Sequence, residues 1–235
     1  MDFVVLMAGQ GKRLGKINRY LQKSMYPFCG KPFVEFSMIN LLKTKTNISR
    51  FVFVVGYKRE QVMDYFGNEY QGVPIEYVVQ TEPKGTGHAV FIAHNAFEFQ
   101  EPVIVWLGDL LVSQHMFKEI CFLELDNGLS ICRHVCLFEH NERVDFSGNQ
   151  ISRAWQGSSD FVDVGLWKVS PEVIGLMLED KTDEHRMLLG FQKAIDKGIP
   201  VGYIETDRWI HLGGTEPSAE ENIVEVTAAI LEMRR

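Results

Sequence analysis

The chain has 235 residues, 46% of them hydrophobic, and carries a formal net charge of −7. That length supports one large α/β domain, or two small ones, with a substantial core, and the longest apolar run falls well short of the roughly 20 residues that cross a bilayer. The acidic balance excludes a nucleic-acid backbone as partner, because counterion-release binding needs a basic surface. The amino terminus lacks a signal-peptide pattern, since Asp2 precedes a short apolar run and a glycine turn. The cysteines (Cys29, Cys121, Cys132 and Cys136) carry no mark of secretion, so reduced thiols and a cytoplasmic location are expected.

Phe3-Val4-Val5-Leu6 is apolar without alternation, which predicts a strand buried on both faces. It empties into Met7-Ala8-Gly9-Gln10-Gly11-Lys12-Arg13-Leu14. Gly9 and Gly11 allow a sharp bend close to a ligand, and Lys12, Arg13 and Lys23 make the bend a cationic nest for a polyphosphate. It is not a P-loop, because no Gly-Lys-Ser/Thr follows, nor a dinucleotide fingerprint, because Leu14 occupies the third glycine position. Apolar spacing then predicts a helix over 32–43, a strand over 51–55, a short helix over 58–66, a strand over 75–79 and a helix over 87–97. A fourth strand, 103–107, is closed by Gly108-Asp109. This alternation means βαβ units, a mainly parallel sheet and ligands at the carboxyl ends of the strands.

After residue 128 the pattern changes. A long strand is predicted over 129–138, a hairpin over 143–155 broken at Ser147-Gly148-Asn149, and a strand over 161–169 with Pro171 opening a helix. A helix over 184–197, a strand over 201–204 and an amphipathic helix over 217–234 complete the reading. No linker, low-complexity tract or repeat interrupts the chain, so 1–235 reads as a single domain without a β-helical hexapeptide extension.

Two further blocks carry chemistry. Gln80-Thr81-Glu82-Pro83-Lys84-Gly85-Thr86-Gly87-His88-Ala89 follows the third strand and opens a helix. Its glycines let a flat base lie against the backbone, and Gln80 offers a donor and an acceptor to a base edge. Asp109, just past a central strand, is placed to hold Mg²⁺, which takes oxygen ligands and usually keeps one or two carboxylates plus substrate phosphates. By contrast, Cys132-x-His134-x-Cys136 is not a usual zinc spacing and reads as packing. Trp106, Trp155 and Trp167 read as core before they read as sugar platforms.

Taken together, Leu6 to Leu14, Gln22-Lys23 through Gly30-Lys31-Pro32, the Gln80–Ala89 block and Gly108-Asp109 resemble the sugar-1-phosphate nucleotidyltransferases, or nucleotide-sugar pyrophosphorylases. That family pattern is L-[AG]-[AG]-G-x-G-[ST]-R-[LM], then P-K-x-L-x-x-V-x-G-K-P, Q-x-x-P-x-G-[TL]-[AG]-x-A and G-D; Met7, Lys12 in place of a small hydroxyl residue, and Gln22 in place of the proline before the lysine depart from it. The resemblance implies a Rossmann-like three-layer sandwich with a mixed, mainly parallel sheet and a small β-hairpin insertion. Residues 1–128 would form its nucleotide half and 129–235 its acceptor half. It also implies an enzyme that joins a nucleoside triphosphate to a sugar-1-phosphate with Mg²⁺ and expels pyrophosphate. Arg13 and Lys23 would be catalytic, with Leu6, Ala8, Gly9, Gly11, Lys12, Gln80, Pro83, Gly85 and Thr86 around the nucleotide. Asp163, Gly165 and Trp167 would meet the acceptor, and Asp109, with His211, the metal. The motifs fix neither base nor oligomeric state, and a homo-oligomer is compatible with them.

The acceptor half departs from this pattern. Ala154-Trp155-Gln156 stands where E-K-P carries the family's sugar-phosphate lysine, and Asp163-Val164-Gly165 replaces N-[AST]-G. Trp209-Ile210-His211-Leu212-Gly213-Gly214 replaces W-x-D-[IV]-G-T, putting an imidazole, a poor Mg²⁺ ligand, where a carboxylate is usual. Asp207 is the neighbouring carboxylate that could compensate. These changes leave two alternatives open: a non-sugar acceptor such as phosphocholine, or a catalytically silent nucleotide-binding subunit.

Overall fold

A computed structural model describes residues 1–11, 18–133, 142–178, 184–213 and 219–233. Within them, strands β1 (Asp2–Met7), β4 (Arg50–Val55), β6 (Val73–Val79) and β7 (Val103–Leu107) lie parallel and adjacent in the order β6-β4-β1-β7. The continuous apolar runs become central strands because both of their faces are covered. Phe3, Val5 and Met7 point into one buried cluster, with Val34, Met38 and Leu41 of α1 (Phe33–Lys43), Val62 of α2 (Arg59–Phe66) and Phe117 of α4 (Gln114–Phe122). Val4 points into the other, with Val90 and Ala93 of α3 (Thr86–Phe97), Ile174 of α5 (Pro171–Leu176) and Phe191 of α6 (Met187–Asp196). The result is a three-layer α/β/α sandwich.

The rest of the sheet is mixed. β11 (Phe161–Val169) runs antiparallel to β7 and to β8 (Gly128–Arg133), and β12 (Gly202–Thr206) runs parallel to β8. The predicted hairpin forms as β9 (Asp145–Ser147) and β10 (Gln150–Arg153), while β2 (Pro27–Phe28) and β3 (Lys31–Pro32) make a small sheet of their own. Short β5 (Glu69–Tyr70) caps the far edge beside β6. The terminal helix α7 (Ala219–Met233) packs Val226, Ala229 and Ile230 against Phe33 and Phe36 of α1, Phe28 and Leu212.

One expectation falls partly outside the described residues, and one changes. The strand predicted over 129–138 is β8, described to Arg133; His134, Cys136 and His140 lie outside the described residues. A helix was not expected over 114–122, yet Ser113 caps α4 by accepting from the Met116 N–H at 3.1 Å. No helix among the described residues is long and apolar enough to cross a membrane.

Candidate active site

The carboxyl ends of β1, β6 and β7 open into one cavity of about 500 Å³. It is walled on the β1 side by Leu6, Ala8, Gly9, Gly11 and Lys23, and after β6 by Gln80, Pro83, Gly85 and Thr86. Asp109, after β7, joins His211, and from β11 come Asp163, Gly165 and Trp167. Three stretches distant in sequence, together with β11, therefore face a single space. Lys12 and Arg13 lie outside the described residues.

Local sequence explains these placements. Gly11 has φ +63°, a conformation strained for any residue with a side chain, and a Cβ there would stand 3.0 Å from Lys23 Cβ, tight enough to push on the lysine. Lys23 sits on a single 3₁₀ turn, Lys23–Met25, that Gln22 caps. Gln22 Oε1 accepts from Ser24 N–H at 2.6 Å and Met25 N–H at 3.3 Å, while Gln22 Nε2 donates to the Met7 carbonyl at 2.7 Å. The glutamine that replaces the family's proline thus ties the lysine's turn to the end of β1. Sequence reasoning noted this residue only as a departure.

Lys23 Nζ forms an ion pair with Asp109 Oδ2 in a largely buried setting. Burial pushes the Asp109 carboxyl up, but the Lys23 ammonium, His211 and the lysine's hydrogen bond outweigh it and hold it below the ordinary carboxylate range. Asp109 O also accepts from Leu212 N–H at 2.8 Å, and Leu110 pairs with His211 in an antiparallel bridge. His211 stacks on Trp209 with ring centroids 4.9 Å apart. Asp207, the alternative carboxylate, faces a separate depression with Arg208 and Glu225 rather than this cavity.

The Gln80–Thr86 loop is locked against the segment before α6. Gly85 has φ +95°, and a Cβ would come 2.4 Å from the His185 carbonyl. That carbonyl accepts from Gly87 N–H at 2.8 Å, and Thr86 Oγ1 accepts from Met187 N–H at 3.0 Å. Gln80 is buried, and its amide nitrogen lies 3.1 Å from the Gly85 carbonyl and 2.9 Å from His88 Nδ1. Burial, Lys84 and His185 together push the His88 imidazolium toward deprotonation, which leaves a neutral ring to accept from Gln80.

At the opposite wall, the β11–β8 ladder shifts register between Asp163 and Trp167, and Gly165 has φ +97°. Bulges of this kind often border functional sites. Trp167 Nε1 donates to Asp163 Oδ1 at 2.9 Å, which holds the buried carboxyl at the wall. Burial and the Glu142 carboxylate push Asp163 well above the usual carboxylate range, and the Trp167 hydrogen bond offsets this only in part. Trp106 is core, as expected, and Trp167 is both core and cavity wall. Trp155 corrects its reading: it follows β10, is half-buried and lines the cavity. Glu142, Glu184, Arg186 and Trp209 also line it, and sequence reasoning assigned none of them a role.

A family model described as nucleotidyl transferase matches residues 3–143, more than half of the chain. The chain belongs to this family. The bifunctional protein GlmU of Methanococcus vannielii is 34% identical over 227 residues, covering 91% of this chain and 52% of that protein. The D-glycero-alpha-D-manno-heptose 1-phosphate guanylyltransferase of Aneurinibacillus thermoaerophilus is 37% identical over 111 residues, 47% of each chain. A UDP-glucose pyrophosphorylase solved with UDP-glucose superposes with a TM-score of 0.79 at 18% identity, covering 100% of this chain and 99% of that one, which supports the fold. The chain spans about half the length of the curated relatives it matches.

For a nucleotidyl transferase the donor set bears on the metal. Among the described residues, no three His, Cys, Asp or Glu side chains cluster as a metal site. Asp109 with substrate phosphate oxygens suits a hard ion such as Mg²⁺, which keeps waters and dehydrates reluctantly. The His211 imidazole does not improve that fit, but its charge lies close enough to influence Asp109.

Proposed function

We propose that the chain transfers a nucleoside monophosphate from a nucleoside triphosphate to a sugar-1-phosphate in the cytoplasm, releasing pyrophosphate and forming a nucleoside-diphosphate sugar. The observation that carries this reading is the Lys23–Asp109 pair, set where the loops after β1 and β7 meet in the cavity shared with the Gln80–Thr86 loop. A lysine and a carboxylate so placed match an α-phosphate and its metal respectively.

The acceptor phosphate is already an anion, so the chemistry needs no protein nucleophile or base; positioning and charge neutralisation do the work. Gln80, with its amide nitrogen engaged by Gly85 and His88, offers its carbonyl oxygen to a base edge against the Pro83–Gly85 backbone. Lys23, buried and oriented by the Gln22 cap, faces the α-phosphate as charge builds in the transition state. Arg13, with Lys12, would clamp the departing pyrophosphate through its planar fork. Mg²⁺, held by Asp109 and phosphate oxygens, would supply charge neutralisation across the polyphosphate.

Pyrophosphate release with Mg²⁺, measured over five triphosphates crossed with a panel of sugar phosphates and phosphocholine, tests the proposal. Turnover with one sugar-1-phosphate pair supports it. Turnover with phosphocholine alone moves the acceptor outside the sugars. Triphosphate binding without release on any pair assigns the chain to a silent, regulatory role.

A further inference from the structure

In the proposed reaction the acceptor arrives as an anion, and Lys23 is already set against Asp109 and the nucleotide. Among the described residues lining the cavity, the one guanidinium is Arg186, immediately before α6. Its side chain is about one-third exposed, within reach of ligand and solvent. One terminal nitrogen donates to Glu142 Oε1 at 3.1 Å and the other to Glu184 Oε2 at 3.1 Å. Its Cζ lies 5.4 Å from the centre of the Trp155 ring, so an indole supports the guanidinium plane.

A guanidinium has five N–H donors, and the two carboxylates take two of them. The fork is therefore fixed in orientation while donors remain for an oxyanion, the bidentate geometry arginine favours. Trp155 follows β10 and stands half-buried in the cavity wall. That position supplies a flat surface, and position 186, on another element, brings a charge to it. Repulsion at this end is limited, because Glu142 is paired with Arg186 and Glu184 is largely solvated.

We infer that Arg186 binds an anionic group of the acceptor, held in place by Glu142, Glu184 and Trp155. The inference rests on the proposed transfer reaction. The group is either the phosphate that attacks or a second anionic substituent on the same acceptor, and the two sources are separable.

Steady-state kinetics of the full chain compare the wild type with Arg186→Met and Arg186→Lys. For Arg186→Met the acceptor KM should rise about 10- to 100-fold while the nucleotide KM stays within about threefold, as expected for loss of a charge-assisted hydrogen bond made to one substrate. Arg186→Lys should recover part of the acceptor affinity, which a merely structural defect would not predict. A rise for glucose 1-phosphate, whose only anion is its phosphate, assigns Arg186 to the attacking group. A rise confined to glucuronate 1-phosphate or a hexose bisphosphate assigns it to the second substituent. An unchanged acceptor KM, or equal rises in the acceptor KM and the nucleotide KM, overturns the inference. Calorimetric titration with glucose 1-phosphate and glucuronate 1-phosphate reads the same contact without turnover. If the wild type binds but never turns over, weaker binding to Arg186→Met keeps the arginine assignment while the transfer reading fails. Equal affinities in the two proteins overturn the assignment.

Discussion

On the nucleotide side of the cavity a buried lysine faces a carboxylate, Lys23 against Asp109, whereas on the acceptor side the buried carboxyl of Asp163 faces a second carboxylate, Glu142. The first pairing drives its carboxyl to stay ionised; the second favours the neutral acid. Both arise from sheet geometry. Parallel strand ends place the loops after β1 and β7 side by side, so a cation from one meets an anion from the other. On the antiparallel β11 the register shift leaves Asp163 buried beside Glu142, whose carbonyl accepts from Asp163 N–H at 3.0 Å. In the proposed reaction the nucleotide side would trade one set of charges for another when a metal-bound triphosphate enters. The acceptor side would present the neutral Asp163 acid plus one arginine oriented by Glu142 and Glu184.

The sharpest way to break this contrast is at its charged end. Asp109→Ala should lower Mg²⁺-dependent pyrophosphate release by about 10³-fold or more, because loss of the carboxylate removes the protein's hold on the metal. A variant of near-normal rate would take Asp109 out of that role. Lys23→Ala should come next, with kcat down about 10²–10³-fold and nucleotide KM within about threefold, the signature of a contact made in the transition state. Equal losses in kcat and nucleotide affinity would instead make Lys23 a ground-state binder, and the two sides of the cavity would then differ less than proposed.

How far the sequence carries this contrast depends on the range of the interactions. Phe3-Val4-Val5-Leu6 and Val103-Ile104-Val105-Trp106-Leu107 announce central strands, because a segment covered on both faces shows it in its own composition. The loops after β1, β6 and β7 are legible for a related reason, since glycines, lysines and Asp109 lie close to the strand ends they serve. Helix α4 was missed although Ser113 and the spacing of Met116, Phe117, Ile120 and Cys121 signal it; the segment is short and Gln114-His115 opens it on polar residues. The acceptor wall was harder to read. Arg186 acquires its meaning from Glu142, 44 positions away, and from Trp155, and no local pattern encodes such a meeting. Gln22 looked like a lost proline, and only the fold shows its side chain bonded to Ser24, Met25 and Met7.

A milder perturbation probes the seam between the two sides. Gly85→Ala would force a side chain into a φ of +95° and set its Cβ 2.4 Å from the His185 carbonyl. Backbone strain of this kind costs about 1–3 kcal/mol. The loop should relieve it by pulling away from the segment before α6, loosening both the base-side wall and Arg186. Nucleotide KM should rise about tenfold, with a measurable fall in thermal midpoint. A rise in acceptor KM alone would mean that the base-side loop is independent of that segment.

The smallest expected effect tests the electrostatic contrast by its sign. Asp109, held below the ordinary carboxylate range, contributes stability that is present above its unfolded pKa and is lost as pH falls through its lower folded value. Asp163 is pushed the other way, chiefly by burial and then by Glu142. Between its unfolded value and its raised folded value, the native state binds the proton and the unfolded state does not. Its contribution is therefore fully present below the unfolded pKa and declines as pH rises through that window. Asparagine keeps the shape, carries no titrating proton and can still accept from Trp167 Nε1, so Asp163→Asn should remove the decline while leaving the low-pH side unchanged. Urea midpoints taken in steps from pH 4 to pH 8 read this directly: the wild type should lose ground relative to the variant as pH rises. Parallel curves would show that Asp163 titrates alike in both states, and the acceptor side would then hold an ordinary ionised carboxylate, leaving Glu142 and Asp163 to repel each other and any incoming phosphate.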